Sequence, residues 1–555
     1  MQAFTSSPTR DRVLFWLAGA LALAALIMLS IAMRLNAYSS GLMLNPDEAE
    51  LLAEGRRATL DIARPYGAST ATTHTWLWPL FLGALGRVGV PLDLTTAHLL
   101  AGAFYVWIAW VGWLVIFRTH GWWRATLLVF PTSAVVLGLT GDFHSLGTEL
   151  LPIAIIFLAL LIYLLPQIPP SRSRLFVTAL LLGLVVWAKP QLGLLAICLL
   201  VAVWHITNQA QGIDDPDPET AGRQRFLNAG LATAGFLMPT VGFAIWLLAA
   251  GTWSSFINEP LSFQYSYLVS REPMGGTSPG LISRISLTSS FVLTFWTSLL
   301  WALSAGLVWF KKGPQIAEIA VRRQLILWVS VLGCAVVTLL FSFPLFDHYA
   351  NVLFAASLSA GILIIGSEKW LISQDDATRD TSAAFLTPVV LISALLIGSL
   401  TPIAQNNLRE LAIGESPEPE PRWSDDDLAG KCPAGSNVLV WGWSSELYAY
   451  YDWMPASRYV NSVWQILPTM NMASYQETMA DELLNNPPHC IVDTADQAFF
   501  GNLSPNDSLD RNLPQVTQLL TNCYTRGMLR MADGRRVGVY QATGGCDVRT
   551  HTGFK

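Results

Sequence analysis

The chain carries one apolar stretch after another, each close to the length needed to cross a bilayer. A hydrocarbon core of about 30 Å takes roughly 20 helical residues. Stretches of this kind lie at 13–33, 92–117, 125–141, 150–165, 175–188, 190–206, 226–250, 287–310, 324–343, 350–366 and 385–404. Inside lipid each backbone N–H and C=O has to be satisfied within the protein, so a chain of this pattern is restricted to a bundle of membrane helices. The first stretch is long, and no small-residue cleavage site follows it before Asn45-Pro46-Asp47. It therefore reads as a retained anchor rather than a signal peptide.

The least regular stretch is 175–206, which Lys189-Pro190 interrupts. A single helix of 32 residues would be about 48 Å long, more than a tilted helix needs. Proline starts a helix well and breaks one badly, which favours two helices meeting near Lys189. That choice places Arg10, Arg12, Arg118, Arg124, Arg172, Arg174, Arg223, Arg225, Lys311, Lys312, Arg322, Arg323, Lys369 and Arg379 on one side. The positive-inside rule makes this side cytoplasmic. The expectation is eleven spans, the N-terminus in the cytoplasm and the C-terminal segment outside, in an inner (plasma) membrane of bacterial type.

Charge divides the chain at the same boundary. The 555 residues hold 33 Lys and Arg against 39 Asp and Glu, and residues 405–555 account for 11 of the former and 18 of the latter. The tail is thus at −7 and residues 1–404 at +1. So little charge excludes an ordinary soluble globular protein, and neither part has the basic excess of a nucleic-acid binder. We read 1–404 as a transmembrane domain with interfacial helices in its first outer loop, 34–91, and 405–555 as an extracytoplasmic α/β domain. Cys198 and Cys334 sit in apolar runs, whereas Cys432, Cys490, Cys523 and Cys546 share the tail and suit two disulfides there. Strands are expected at 437–443, 490–493 and 536–540, with helices over 470–486 and 511–522. The tail lacks a Gly-rich phosphate loop and a nucleophile elbow. Its Trp441, Trp443, Tyr448, Tyr450 and Tyr451 suit either a core or stacking on sugar.

The first outer loop contains Asn45-Pro46-Asp47-Glu48. Asn45 is suited to cap a helix, Pro46 to its first position, and Glu48 to the third, so a helix is expected to begin here. Asp47 and Glu48 then lie at its positive end. They either complement the helix dipole or supply a general base at the bilayer surface, and spacing does not separate the two. The segment from Thr72 to Leu82, with His74, Trp76 and Trp78, is too short to span and is expected in the interface plane.

Other ionisable groups at membrane depth are candidates in their own right. Lys189 either snorkels to the interface or holds a lipid phosphate as a point charge. Asp142, His144 and Glu149 form a second outer cluster, suited either to bonding backbone ends or, through the Asp-x-His pair, to a metal, and the first reading is preferred. Arg271, Tyr265, His348 and Tyr349 lie in further outer loops. No cofactor is expected.

Four places carry a resemblance: Asp47-Glu48-Ala49, Thr73-His74 through Pro79, Gly183 through Lys189-Pro190, and His348-Tyr349. In order and side they resemble the GT-C class of membrane glycosyltransferases, which includes protein O-mannosyltransferases and lipid A aminoarabinose transferases. Relatives have two prolines after the His where this chain has Thr75-Trp76. The resemblance implies a GT-C fold and an inverting transfer of a sugar from a polyprenyl-phosphate donor to a glycan, lipid or protein acceptor outside the cytoplasm. It implies catalytic roles for Asp47, the base, and Glu48. Lys189 and Arg271 would bind the donor phosphate, and His74, Asp142, His144, Glu149, Tyr265, His348 and Tyr349 would line the substrate site. The alternative is a polytopic transporter or lipid-linked-glycan flippase, which would need ionisable groups deep within several spans.

Overall fold

In a computed structural model of the chain, the described residues are 8–265 with short breaks, scattered positions between 330 and 362, and 426–543 with breaks. Helix α1 (Pro8–Ser40) is followed by α2 (Pro46–Leu60), α3 (Leu77–Arg87), α4 (Leu94–His120) and α5 (Trp122–Gly138). A 3₁₀ turn at Gly141–His144 leads to α6 (Leu150–Leu164), α7 (Arg172–Ala188), α8 (Gly193–Gly212) and α9 (Pro218–Ala249). Among the described residues four helices are long and apolar enough to cross a membrane, over Arg12–Ser39, Leu94–Thr119, Pro190–Gln211 and Glu219–Ala249. The protein is therefore an integral membrane protein by length and composition of its helices. The stretches expected at 287–310 and 385–404 lie outside the described residues, and those at 324–343 and 350–366 are described only at scattered helical positions.

The chain does break at Lys189. Its φ of −154° and ψ of 107° are extended, its N–H closes α7 on Val185 O, and Pro190 opens the short turn that leads into α8. Helices α7 and α9 approach closely because each offers a glycine to the other's backbone. A Cβ on Gly183 would run into Phe236 O, and one on Gly235 would stand 2.6 Å from Phe176 O. Small residues at such crossings let helices pack where apolar burial gives no drive.

The first loop is not a flat cover. Helices α2 and α3 lie against each other through Gly55, Ala58, Gly83 and Gly86. Trp76 and Trp78 are fully buried in protein. The Trp78 indole donates to Thr148 O at 2.9 Å, which gives the buried N–H its partner. Between the two helices the turn at Asp61–Gly67 places Tyr66 at φ +59°, unusual for a bulky residue. Its hydroxyl accepts the Trp76 N–H at 3.1 Å, which ties the turn to the start of α3.

Beyond α9 come α10 (Trp253–Phe256) and a π turn at Ile257–Leu261. The tail resumes with α11 (Asp426–Lys431), β1 (Asn437–Trp441), α12 (Glu446–Tyr450), β2 (Met454–Pro455) and α13 (Val463–Ile466). Then follow α14 (Met472–Asn485), β3 (Cys490–Asp493), α15 (Leu509–Asn512), α16 (Thr517–Cys523), β4 (Tyr524–Arg530) and β5 (Arg536–Ala542). The sheet order is β2-β1-β3-β5-β4. Strands β2, β1 and β3 run parallel, while β5 is antiparallel to both β3 and β4. Alternate residues of β1 point to opposite faces. Leu439 and Trp441 pack with Tyr475, Met479 and Leu483 of α14, while Val438 and Val440 pack with Leu447, Tyr448 and Ala53 of α2. Trp441 and Tyr448 are core residues on opposite faces of this sheet.

Cys432 pairs with Cys490, joining α11 to β3, and Cys523 is also disulfide-bonded. Cys198 and Cys334, read from sequence only as members of apolar runs, are paired as well.

Candidate active site

Glu48 shows most plainly how the sequence builds this region. Asn45 accepts the Asp47 N–H at 2.7 Å, and Glu48 Oε1 reaches back to the N–H groups of Leu44, at 2.6 Å, and Asn45, at 3.3 Å. This is the capping box that the spacing announced, with Pro46 at the first turn. Glu48 goes further than a surface cap. Its Oε2 accepts the Leu146 N–H at 3.1 Å, and His98 Nε2 lies 3.3 Å from the carboxylate. His98 Nδ1 in turn lies 2.7 Å from Ala37 O. Glu48 and His98 are both fully buried.

Arg34 closes the same network from α1. Fully buried, it donates to Phe143 O at 2.9 Å and to His144 O at 2.7 Å, and its guanidinium lies 5.3 Å from the centre of the Tyr105 ring. The turn that offers Leu146 N–H to Glu48 is thus held by Arg34 at its preceding carbonyls. Both groups are buried and ionisable, and both have several partners, which is how such groups are tolerated inside a protein.

Asp47, one residue earlier, is half-buried. Helix geometry turns it about 100° from Glu48 and brings it onto the face that carries Glu50 and Glu54, three and seven residues later. Glu54 Oε2 lies 2.6 Å from His74 Nε2, with both side chains buried, so His74 anchors the loop before α3 onto α2.

Lys189 lies against the start of α6. Its Nζ donates to Glu149 Oε1 and to Thr148 Oγ1, and Lys189 and Glu149 are both buried. Thr148 Oγ1 also stands 3.2 Å from Glu149 Oε1. His144 is in the neighbouring turn, its Nε2 3.2 Å from Leu137 O. Burial, and then the Arg34 charge, lowers its imidazole to about 3, so it is neutral at physiological pH. Asp142 lies in the same 3₁₀ turn. Tyr265 is exposed, whereas Arg271, His348 and Tyr349 lie outside the described residues.

These contacts bring the first loop, the 141–149 turn and the Lys189 turn to one side of the bundle, and the tail joins them. Arg56 donates to Leu92 O at 2.8 Å, to Trp453 O at 3.3 Å and to Asp452 Oδ1 at 2.6 Å. Arg57 donates to Pro455 O at 3.0 Å, and Tyr450 accepts the Met43 N–H at 3.0 Å. Arg458 pairs with Glu482 and, at 3.3 Å, with Glu259 of the π turn. Burial pushes the Glu259 carboxyl up to about 7, against the opposing pull of Arg458. Among the described residues no three His, Cys, Asp or Glu side chains group as metal ligands.

Sequence reasoning missed Arg34, Glu54, His98, Thr148, Glu259 and Arg458. Two left a trace: Arg34 is a charge at the end of an apolar stretch, and Glu54 is two turns from Asp47. The others are joined only through long-range contact.

No protein-family model matches this sequence, and no curated protein sequence matches it. Among solved structures the chain is similar to ArnT from Cupriavidus metallidurans bound to undecaprenyl phosphate, at 13% identity and a TM-score of 0.49 over 97% of this chain and 99% of that one. The same enzyme in the apo state gives 14% identity and a TM-score of 0.38 over 96% and 98% of the two chains. The Archaeoglobus fulgidus oligosaccharyltransferase gives 12% identity and a TM-score of 0.37 over 94% of this chain and 73% of that one.

Proposed function

We propose that the chain is an inverting membrane glycosyltransferase that moves a sugar from a polyprenyl-phosphate donor to the hydroxyl of a glycan, lipid or protein acceptor outside the cytoplasm. In this reading it has eleven spans, a cytoplasmic N-terminus and an extracytoplasmic tail from about residue 405. The observation that carries it is the division of labour in Asp47-Glu48. Glu48 is committed to the N–H groups of Leu44, Asn45 and Leu146 and to His98, while Asp47 beside it is half-buried at the positive end of a rigid helix.

The chemistry follows from position. Asp47 takes the acceptor's proton as the acceptor attacks the anomeric carbon, and the sugar–phosphate bond breaks on the opposite face. A single base without a covalent nucleophile gives inversion. The leaving phosphate gains negative charge as the bond breaks, and Lys189, a buried cation held by Glu149, would meet that charge. Lys189 is set at the break between two helices, where the backbone is extended and the side chain reaches the start of α6.

The test is transfer from radiolabelled undecaprenyl-phosphate sugars by the purified chain and by Asp47→Ala and Lys189→Ala. Loss of transfer in both variants, with folding retained, supports the reading. Equal turnover in all three sinks it.

A further inference from the structure

Glu149 occupies the end of a helix without serving it. It stands at the N-cap position of α6, yet its side chain makes no capping hydrogen bond, in contrast to Asn45, Asp93 and Ser171 at the starts of α2, α4 and α7. A carboxylate at a helix N-terminus ordinarily turns to the free N–H groups there. This one is aimed across the turn at the Lys189 ammonium, with the Thr148 hydroxyl touching both charges. Trp78 holds the Thr148 carbonyl from the α3 side. Tyr105 of α4 is another titratable group near Glu149, and Arg34 lies over that ring.

The pair is closed to water on both partners, at 4% and 0% side-chain exposure. In such a place a cation with one carboxylate is balanced, and a second anion brings an excess charge that solvent does not screen. A phosphate arriving at Lys189 therefore meets a site whose charge is already spoken for. We propose that Glu149 is a resident counter-ion that holds the phosphate's place on Lys189 between turnovers, so that a lipid phosphate binds by displacing Glu149. The proposal rests on the reading of Lys189 as the phosphate-binding group.

The effect is unequal for donor and product. The donor is a phosphodiester with one negative charge, whereas the carrier phosphate left after transfer is a monoester with nearly two at neutral pH. Competition from Glu149 weighs more heavily on the product. It lowers affinity for the donor somewhat and speeds release of the spent carrier. A carboxylate that merely steadied Lys189 would have the opposite signature, because its removal would weaken phosphate binding.

The experiment is direct binding of undecaprenyl phosphate to the purified full chain, with steady-state transfer measured alongside, for wild type, Glu149→Gln, Glu149→Asp and Lys189→Gln. Glu149→Gln is expected to bind the carrier phosphate about tenfold more tightly, since like charges at close range weaken binding by at least that factor. KM for the donor and kcat are both expected to fall, and product inhibition to strengthen. Glu149→Asp, with a shorter reach to Lys189, is expected to lie between, and it decides the matter if the Gln variant does not fold. Lys189→Gln is expected to lose binding. Unchanged or weaker binding in the Glu149 variants, with binding lost in Lys189→Gln, overturns the counter-ion and leaves the phosphate reading standing. Wild-type binding by Lys189→Gln overturns both.

Discussion

The two ends of α2 are fixed by opposite chemistry, and the tail shares in holding the second. At the N-terminal end an acceptor, the Glu48 carboxylate, is filled by backbone N–H groups and His98 of the membrane body. At the C-terminal end a donor, the Arg56 guanidinium, is filled by the carbonyls of Leu92 and Trp453 and by Asp452 of the tail. Each charge has the sign that suits its end of the helix dipole. The difference teaches which part controls what. The membrane body holds both ends, and the tail adds its own hold at the end away from Asp47.

Substitutions at successive points along α2 separate these roles. Asp47→Asn touches neither anchor, so transfer is expected to fall about a thousandfold, in the range of a lost general base. The thermal unfolding curve in detergent stays where it was, and unfolding of the variant at a lower temperature would show that Asp47 is an anchor too. Glu48→Ala strips the N-terminal anchor and leaves buried N–H groups and His98 without their acceptor. A loss of about 4 kcal/mol is expected from the same unfolding measurement, the scale for breaking a buried charged network. Arg56→Ala releases the opposite end, leaving the carbonyls of Leu92 and Trp453 buried, for about 2 kcal/mol. Limited proteolysis is expected to cleave the tail faster in that variant, and an unaltered cleavage rate would mean that Arg56 does not hold it.

The smallest effect belongs to pH. Folded, the Glu259 carboxyl titrates at about 7, against an ordinary value of 4.5. Between those values the folded chain holds a proton that the unfolded chain has released, so this group's contribution to stability declines as pH rises from about 4.5 to 7 and is level above. Relative to Glu259→Gln, wild type is expected to lose on the order of 2 kcal/mol across that window. Parallel unfolding curves for the two proteins at pH 5 and pH 8 would rule the group out.

Local rules reached far into this molecule. The capping box at Asn45 to Glu48, the helix break at Lys189 and the strands at 437, 490 and 536 are each written in a few neighbouring residues, by cap chemistry, proline geometry or alternation. Pairings across distance are not so written. Glu54 meets His74 twenty residues away, and Arg56 meets Asp452 across 396. Strand β4, Tyr524–Arg530, was missed because its polar residues on an edge strand resemble a loop. The burial of Trp78 was not legible for a related reason: an amphipathic residue suits a lipid interface and a protein interior with a carbonyl partner equally well.

The packing of Ala53 in the core of the tail has a consequence in time. Helix α2 leaves the ribosome well before the tail residues that complete its surroundings. At about 5–20 residues per second, the interval is on the order of half a minute. Through that interval the newly inserted protein holds Asp47 on a helix with one end still open. A nascent chain is thus anchored in the membrane well before the packing around α2 is complete.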